Sequence, residues 1–185
     1  LVYWPVHDSW AKFNQGKLLV QFAIHRLDTW LSGTPFYETV HHLIKQGYSI
    51  DYVSDRFLEK INVENGVIQL PGGNYRSIIV PPSQHIPLKT LKKLIALRTM
   101  GASVIFLGTP QSVPGFFDYQ KREQELKAFV KEKINKVYSL KEMEIPLKKA
   151  GVIKEKLVQK GLKFIRREHR GEKIYYLVNH TSKKN

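Results

Sequence analysis

No cysteine occurs among the 185 residues. That excludes disulfides, thiolate metal centres and cysteine nucleophiles together, without identifying a compartment. Long apolar runs are also missing: no stretch approaches the roughly 18 apolar residues that a membrane-spanning helix needs. The first residues, Leu1-Val2-Tyr3-Trp4, are already apolar and lack the basic start and small-residue cleavage site of a signal peptide. We therefore expect the chain to begin inside a longer polypeptide. Glycine is scarce where nucleotide chemistry would need it. The first strand-to-helix turn reads Pro5-Val6-His7-Asp8-Ser9-Trp10, so no glycine lets the backbone approach a pyrophosphate. The phosphate-loop pattern of NTPases is absent too, and Gly72-Gly73-Asn74 stands in an expected hairpin, not before a helix. No cofactor is expected from these patterns. There is no internal repeat and no low-complexity segment.

Positive charge is plentiful but uneven. The formal net charge is +14, and from Phe116 onward 19 Lys or Arg face 9 acidic residues, whereas the first 115 residues carry 11 and 7. Clustered cations can bind nucleic acid through its phosphates. Here, however, Lys121 to Lys136 is interleaved with Glu123, Glu125 and Glu132, the pattern of a solvated helix face. Arg166, Arg167 and Arg170 fall on both faces of an expected hairpin. Nucleic-acid binding is thus the alternative reading, and a solvated surface or an acidic neighbouring domain the stronger one.

Local patterns alternate between strand and helix. Leu1-Val2-Tyr3 reads as a strand ended by Pro5, with His7-Asp8-Ser9-Trp10 as a polar and aromatic loop. Lys17 to Ile24 suits either strand or helix. Thr34-Pro35 supplies a cap and a first-turn proline, followed by Phe36, Val40, Leu43 and Ile44 at helical spacing, with Gly47 as the stop. Tyr48 to Val53 predicts a strand, and Ser54-Asp55 opens a short helix through Leu58. Asn65-Gly66 is a turn signal, and a small hairpin is expected across Gly72-Gly73. Ser77-Ile78-Ile79-Val80 is a β-branched run ended by Pro81-Pro82, a helix follows over Pro87 to Met100, and Ser103 to Leu107 is a further apolar strand. This order is the grammar of a parallel sheet covered on both faces. It predicts an α/β, flavodoxin-like fold over residues 1–150. A helix through Tyr119, Leu126, Val130 and Ile134, an edge strand at Lys136-Val137-Tyr138 and a short helix over Ile145 to Ala150 complete it. Residues 151–161 read as a linker. Residues 162–185 hold a β-hairpin around Arg170-Gly171 that has no place in a parallel sheet and reads as the start of a following β-rich domain.

Ligands of open α/β sheets bind beyond the carboxyl ends of the strands. Those ends carry His7, Asp8 and Trp10, then Asp55, Ser83 with His85, and Thr109. Read as chemistry, His7, Asp8 and Trp10 form the rim of a sugar site, Trp10 stacking and Asp8 accepting hydrogen bonds. Read as structure, Asp8 and Ser9 cap the next segment while Trp4 and Trp10 fill the core or an interdomain contact, and this reading is the stronger. Asp51 and Asp55 resemble a glycosidase carboxylate pair, but Asp51 falls in an expected strand and Asp55 at a helix start, where capping accounts for it. His41 and His42 point to different sides of a helix, and His7, His25 and His85 lack companions at metal-ligand spacing, so no metal site is expected. Asn179-His180-Thr181 is a formal glycosylation acceptor.

Several phrases, in this order, resemble the region after the catalytic barrel of large α-L-rhamnosidase-like glycoside hydrolases. They are Val2-Tyr3-Trp4-Pro5-Val6-His7-Asp8-Ser9-Trp10, Tyr48-Ser49-Ile50-Asp51-Tyr52-Val53-Ser54-Asp55, and Tyr75-Arg76-Ser77-Ile78-Ile79-Val80-Pro81. Then come Ile86-Pro87-Leu88-Lys89-Thr90-Leu91 and Gly101-Ala102-Ser103-Val104-Ile105-Phe106. Phe164-Ile165-Arg166-Arg167 with Ile174-Tyr175-Tyr176-Leu177-Val178-Asn179 is similar to that family's passage into a β-sandwich. The strong lysine bias after Phe116 departs from the resemblance. The resemblance implies a domain similar to class I glutamine amidotransferases, without their chemistry, which needs a cysteine. It implies a noncatalytic accessory role beside a catalytic barrel and a β-sandwich of the same parent chain, with carbohydrate as a candidate ligand and no membrane contact. The parent would remove a terminal deoxysugar from a polysaccharide, in the periplasm or after secretion. The catalytic carboxylates are expected in the barrel, and none is carried onto these residues.

Overall fold

The computed structural model describes residues 1–13 and 25–179. Val2–Tyr3 (β1) are fully buried, and Pro5, which has no N–H to give a strand, ends the pairing. The chain turns at once into helix Val6–Phe13 (α1), so the expected His7 to Trp10 loop is the first half of a helix. The reason is visible in the backbone: Val6 N donates to Trp4 O (2.9 Å) and Asp8 N to Pro5 O (3.1 Å), which starts the helix directly after the proline. The ambiguous Lys17 to Ile24 segment lies outside the described residues.

Thr34 caps helix Pro35–Lys45 (α2), its Oγ1 accepting from Tyr37 N at 3.2 Å, and Pro35 occupies the first turn. Phe36, Val40 and Leu43 are buried, whereas Ile44 turns to solvent. The strand expected over 48–53 shrinks to Tyr52–Val53 (β2), because only these residues lie opposite Val2 and Tyr3. Asp55–Leu58 forms α3 behind Ser54. A three-stranded antiparallel meander follows: Asn62–Glu64 (β3), Val67–Leu70 (β4) and Gly73–Tyr75 (β5). Asn65 and Gly66 both have positive φ, 50° and 75°, the two-residue turn that matches strand twist. The hairpin at the other end turns through Pro71-Gly72, and Gly73 already pairs with Leu70. Strand β3 was not expected from the sequence.

Ser77–Val80 (β6), helix Leu88–Thr99 (α4) and Ser103–Phe106 (β7) stand as the apolar runs predict. The principal sheet is parallel, in the order β2-β1-β6-β7. With the meander set aside this is the flavodoxin-type strand order, whose switch point lies between β1 and β6. Alternation on the pleat sorts the core into two layers. Tyr3, Val53, Ile78, Val80, Val104 and Phe106 pack with Leu91, Leu94 and Leu97 of α4 and with Leu126 of helix Tyr119–Lys133 (α5). Val2, Ile79 and Ile105 pack on the other side with Phe36, Val40 and Leu43 of α2 and with Met143 and Leu147 of helix Glu144–Lys149 (α6) and the turn before it. Helices therefore cover both faces. The expected edge strand at 136–138 is reduced to one hydrogen bond, from Tyr138 N to Phe106 O at 2.9 Å.

The C-terminal hairpin, Leu162–His169 (β8) with Glu172–Asn179 (β9), is a separate two-stranded sheet turning at Arg170-Gly171. It meets the rest of the chain through the short 3-10 turn Lys156–Lys160 and through Glu155, whose Oε1 accepts from Tyr175 Oη (2.9 Å) and from Arg166. The glycosylation triplet that starts at Asn179 runs outside the described residues.

Candidate functional site

The loops after β1, β6 and β7 meet at the switch point. Asp8, in the first turn of α1, reaches across to the loop after β6. Its Oδ2 accepts from Gln84 N (2.8 Å), and its Oδ1 from His85 N (2.6 Å) with His85 Nδ1 also at 3.1 Å. One carboxylate thus holds the two loops that flank the switch point. Replacing Asp8 with Ala removes two charge-assisted bonds and leaves two amides open, a loss of about 2 kcal/mol. The expected readout is faster hydrogen exchange at the Gln84 and His85 amides; unchanged exchange there would contradict the clamp.

A second carboxylate collects the other side. Asp55 Oδ1 accepts from Tyr3 Oη (2.9 Å) and Thr90 Oγ1 (2.6 Å), while His7 Nε2 lies 3.3 Å from Oδ2. Burial pushes the Asp55 carboxyl up, but the hydrogen bonds from His7, Thr90 and Tyr3 outweigh it and hold the group below the usual carboxylate range. Burial, then the adjacent Asp55 and Asp8 carboxylates, pushes the Tyr3 phenol well above its ordinary value. Asp55 is therefore the hub of a partly buried network joining β1, α1, α3 and α4, not a simple helix cap. Asp51, expected inside a strand, lies just before β2 and accepts from Tyr75 Oη (2.9 Å), so the two carboxylates serve separate networks. Burial and that bond raise the Tyr75 phenol to about 12.

The predicted rim residues are dispersed by the helix. Asp8 faces the switch point. His7 turns toward Asp55, and Trp10, 46% exposed, sits edge-on to the His7 ring at 5.3 Å. Between α1, the N-terminal end of α2 and the loops after β6 and β7 lies a cavity of about 400 Å³, within the size range of small-ligand sites. Trp4, Leu31, Phe36 and Pro82 give it apolar walls; Ser9, Lys12, Thr109 and Gln111 give it polar groups; Asp8 is the acidic residue of its lining. Trp4 is held in place by Phe36 (4.6 Å, edge-on), Trp30 and Tyr52. Thr109 and Ser83, both named from the sequence, line the cavity, and the buried Ser83 gives its hydroxyl to Pro81 O (2.9 Å). Lys12 and the α2 end were missed. Their only sequence signal is that Lys12 lies four residues after Asp8, one helical turn away.

A wider surface hollow of about 510 Å³, lined by Lys154, Glu155, Lys156, Leu157 and Lys160, lies beside the hairpin and away from the strand ends. Part of the basic charge in the C-terminal third is answered within the chain. Arg122 donates to Pro114, Gly115 and Phe117 carbonyls, Arg166 to Glu155, and Lys154 to Glu144 and Gln46. Glu123, bonded by Tyr119, Lys127 and Ser112, is held down to about 2. Among the described residues no three His, Asp or Glu side chains converge as a metal site would require. The His41 ring lies on Tyr37 at 4.2 Å, while His42 Nε2 is buried without a hydrogen-bond partner. No described helix is long and apolar enough to cross a membrane.

The family model of glycoside hydrolase family 106, α-L-rhamnosidase, matches residues 13–185. No curated protein and no solved structure matches the chain.

Proposed function

The chain belongs to the α-L-rhamnosidase family of glycoside hydrolases, and from that premise we propose that it is a noncatalytic, glutamine-amidotransferase-like domain of such an enzyme. In this reading it buttresses a catalytic barrel and leads through β8 and β9 into a β-sandwich of the same parent chain. The switch-point cavity, with Asp8 of α1 in its lining, stands toward the carbohydrate.

The observation that carries the reading is the state of the two carboxylates at the strand ends. Hydrolysis of a glycosidic bond ordinarily uses one carboxyl group to protonate the leaving oxygen and a second to attack or to activate water. Asp8 spends both oxygens on the Gln84 and His85 amides, and Asp55 spends its own on Tyr3, Thr90 and His7. Both act as tie points within the fold, and Asp8, the acidic residue of the cavity lining, has no second carboxyl group beside it there to complete an acid–base pair. The parallel sheet with helices on both faces supports the amidotransferase-like part, and the absence of cysteine removes that fold's own nucleophile from this chain.

The test is direct. The purified chain is offered 4-nitrophenyl α-L-rhamnoside across pH 4–8. We expect nitrophenol release equal to the buffer blank. Turnover in the ordinary enzymatic range of roughly 1–1000 per second, abolished by Asp8→Asn or Asp55→Asn in folded protein, would refute the noncatalytic reading.

A further inference from the structure

We propose that the outer face of the C-terminal hairpin, formed by Ile165, Ile174 and Tyr176, is a docking surface for the apolar face of a second β-sheet in the same parent chain. The inference rests on the reading of this chain as one domain of a larger glycosidase. It adds which surface meets the neighbouring domain and what that domain must present.

Ile174-Tyr175-Tyr176-Leu177-Val178 is apolar at five consecutive positions, the pattern of a strand covered on both faces. Register sorts the side chains, because directly paired residues project from the same side of a sheet. Phe164 pairs with Leu177 and Arg166 with Tyr175, which puts them together on the inner face. Glu155 lies on that side and binds both Arg166 and Tyr175, and the Phe164 and Tyr175 rings are 6.5 Å apart. Ile165 pairs with Tyr176, and Arg167 with Ile174, on the outer face. There Ile165 is 61%, Tyr176 67% and Ile174 57% exposed. A single two-stranded sheet is marginal in water. From Leu162 to Arg167 half-buried and exposed residues alternate, so among the described residues β8 is packed on its inner face alone.

The size of the patch decides what covers it. Separate proteins that associate stably contribute about 20–30 residues a side, and three exposed apolar side chains fall far short of that. Charge opposes a second copy as well: each chain carries a formal net charge of +14, and the outer face holds Lys163 and Arg167 against Glu172. A sheet of the same chain needs no such area, since a short linker holds it at roughly millimolar effective concentration. A tether also fits the geometry, because Asn179, the last described residue, is the last residue of β9. Whatever follows departs from this sheet itself. An aliphatic and aromatic face of this kind packs on the side chains of another sheet, about 10 Å away. Phosphate contacts would need clustered cations, whereas the centre of this face is apolar.

The chain contains no cysteine, so one introduced thiol reports on one position. Tyr176→Cys, with Ile165→Cys as a second site, is labelled with a maleimide in this chain and in the parent protein, whose own cysteines are first replaced by serine. The expected result is labelling at least about tenfold slower in the parent, with the isolated chain reacting as an exposed thiol does. Adding Ile174→Lys to the parent should recover most of the lost rate and leave the isolated chain unchanged. Equal rates in the two proteins, protection that survives Ile174→Lys, or a parent that ends at residue 185 would each overturn the proposal. So would protection of the isolated chain that grows with its own concentration, which assigns the face to a second copy, or that appears on adding duplex DNA. None of these readouts uses turnover. Rhamnoside hydrolysis by the isolated chain would overturn the noncatalytic reading and leave the docking result standing.

Discussion

Replacing Asp55 with Ala is expected to destabilise the domain by about 3 kcal/mol, because it orphans two buried hydroxyls at once. Tyr3 is completely buried and Thr90 is 6% exposed, so each hydroxyl depends on Asp55 for its acceptor, and only water entering from the partly exposed Asp55 side can take its place. The urea midpoint should fall by more than about 1 M, given slopes of 1–3 kcal/mol per M for domains of ordinary size. Asp55→Asn keeps one acceptor oxygen and should cost less. The acid limb of stability supplies an independent check. The Asp55 carboxyl is held below its ordinary value in the folded protein, so the folded state favours the ionised form. Its contribution is complete above the unfolded value of about 3.9 and is lost as pH falls below that toward the depressed folded value. Glu123 and Glu142 are depressed as well, so the parent chain loses stability in acid for several reasons. The difference between parent and Asp55→Asn isolates the hub: it should be constant above about pH 5 and shrink below about pH 4. A difference that stays constant down to pH 2 would show that the network is not charge-dependent.

Gly47→Ala should release the C-terminal extension while sparing the parallel-sheet core. Gly47 ends α2 with φ at 88°, a left-handed backbone that costs an L-residue roughly 1–2 kcal/mol. A Cβ there would also stand 2.4 Å from the Glu155 carbonyl oxygen and 3.0 Å from Val158 Cγ2. The struck atom is backbone and cannot swing aside. The same Glu155 donates its N–H to Gly47 O at 2.8 Å and carries the side chain that ties down Arg166 and Tyr175 of the hairpin. One added methyl group therefore separates α2 from the whole path to β8 and β9. Trypsin should cut after Lys154, Lys156 or Lys160 at least roughly tenfold faster, since each 1.4 kcal/mol of local opening raises the open population tenfold. Gly47→Asn relieves the left-handed strain but keeps the collision, so it should behave like Ala. Digestion at the parent rate in both variants would show that the extension is held elsewhere.

Much of the frame is written locally. The β-branched run Ser77 to Val80 and the apolar run Ser103 to Phe106 can be satisfied only as strands buried on both faces, and so they are. Thr34-Pro35 and the spacing of Phe36, Val40 and Leu43 fix α2 for the same local reason. Where local signals conflict or are short, the sequence misleads. His7 to Trp10 carries loop-like residue types, yet it is helical because Pro5 ends one hydrogen-bonding pattern and its carbonyl starts the next. Tyr48 to Val53 has strand-forming residues throughout, but pairing stops where β1 offers no further partner.

The strand ends divide in the same way. That loops at one end of the parallel sheet would follow β1, β6 and β7 was legible from the alternation of strands and helices alone. The nature of the Asp55 site was not, since its partners Tyr3 and Thr90 lie 52 and 35 residues away along the chain. Likewise nothing near Asp8 in sequence reveals that its carboxylate belongs to amides 76 and 77 residues on. Composition, periodicity and turn residues act over a few residues, and they determined the fold class, the absence of cysteine chemistry and the separate hairpin. Which carboxylates are satisfied and which walls enclose the cavity depend on groups brought together by the crossing of β1 and β6, and only the tertiary structure decided them.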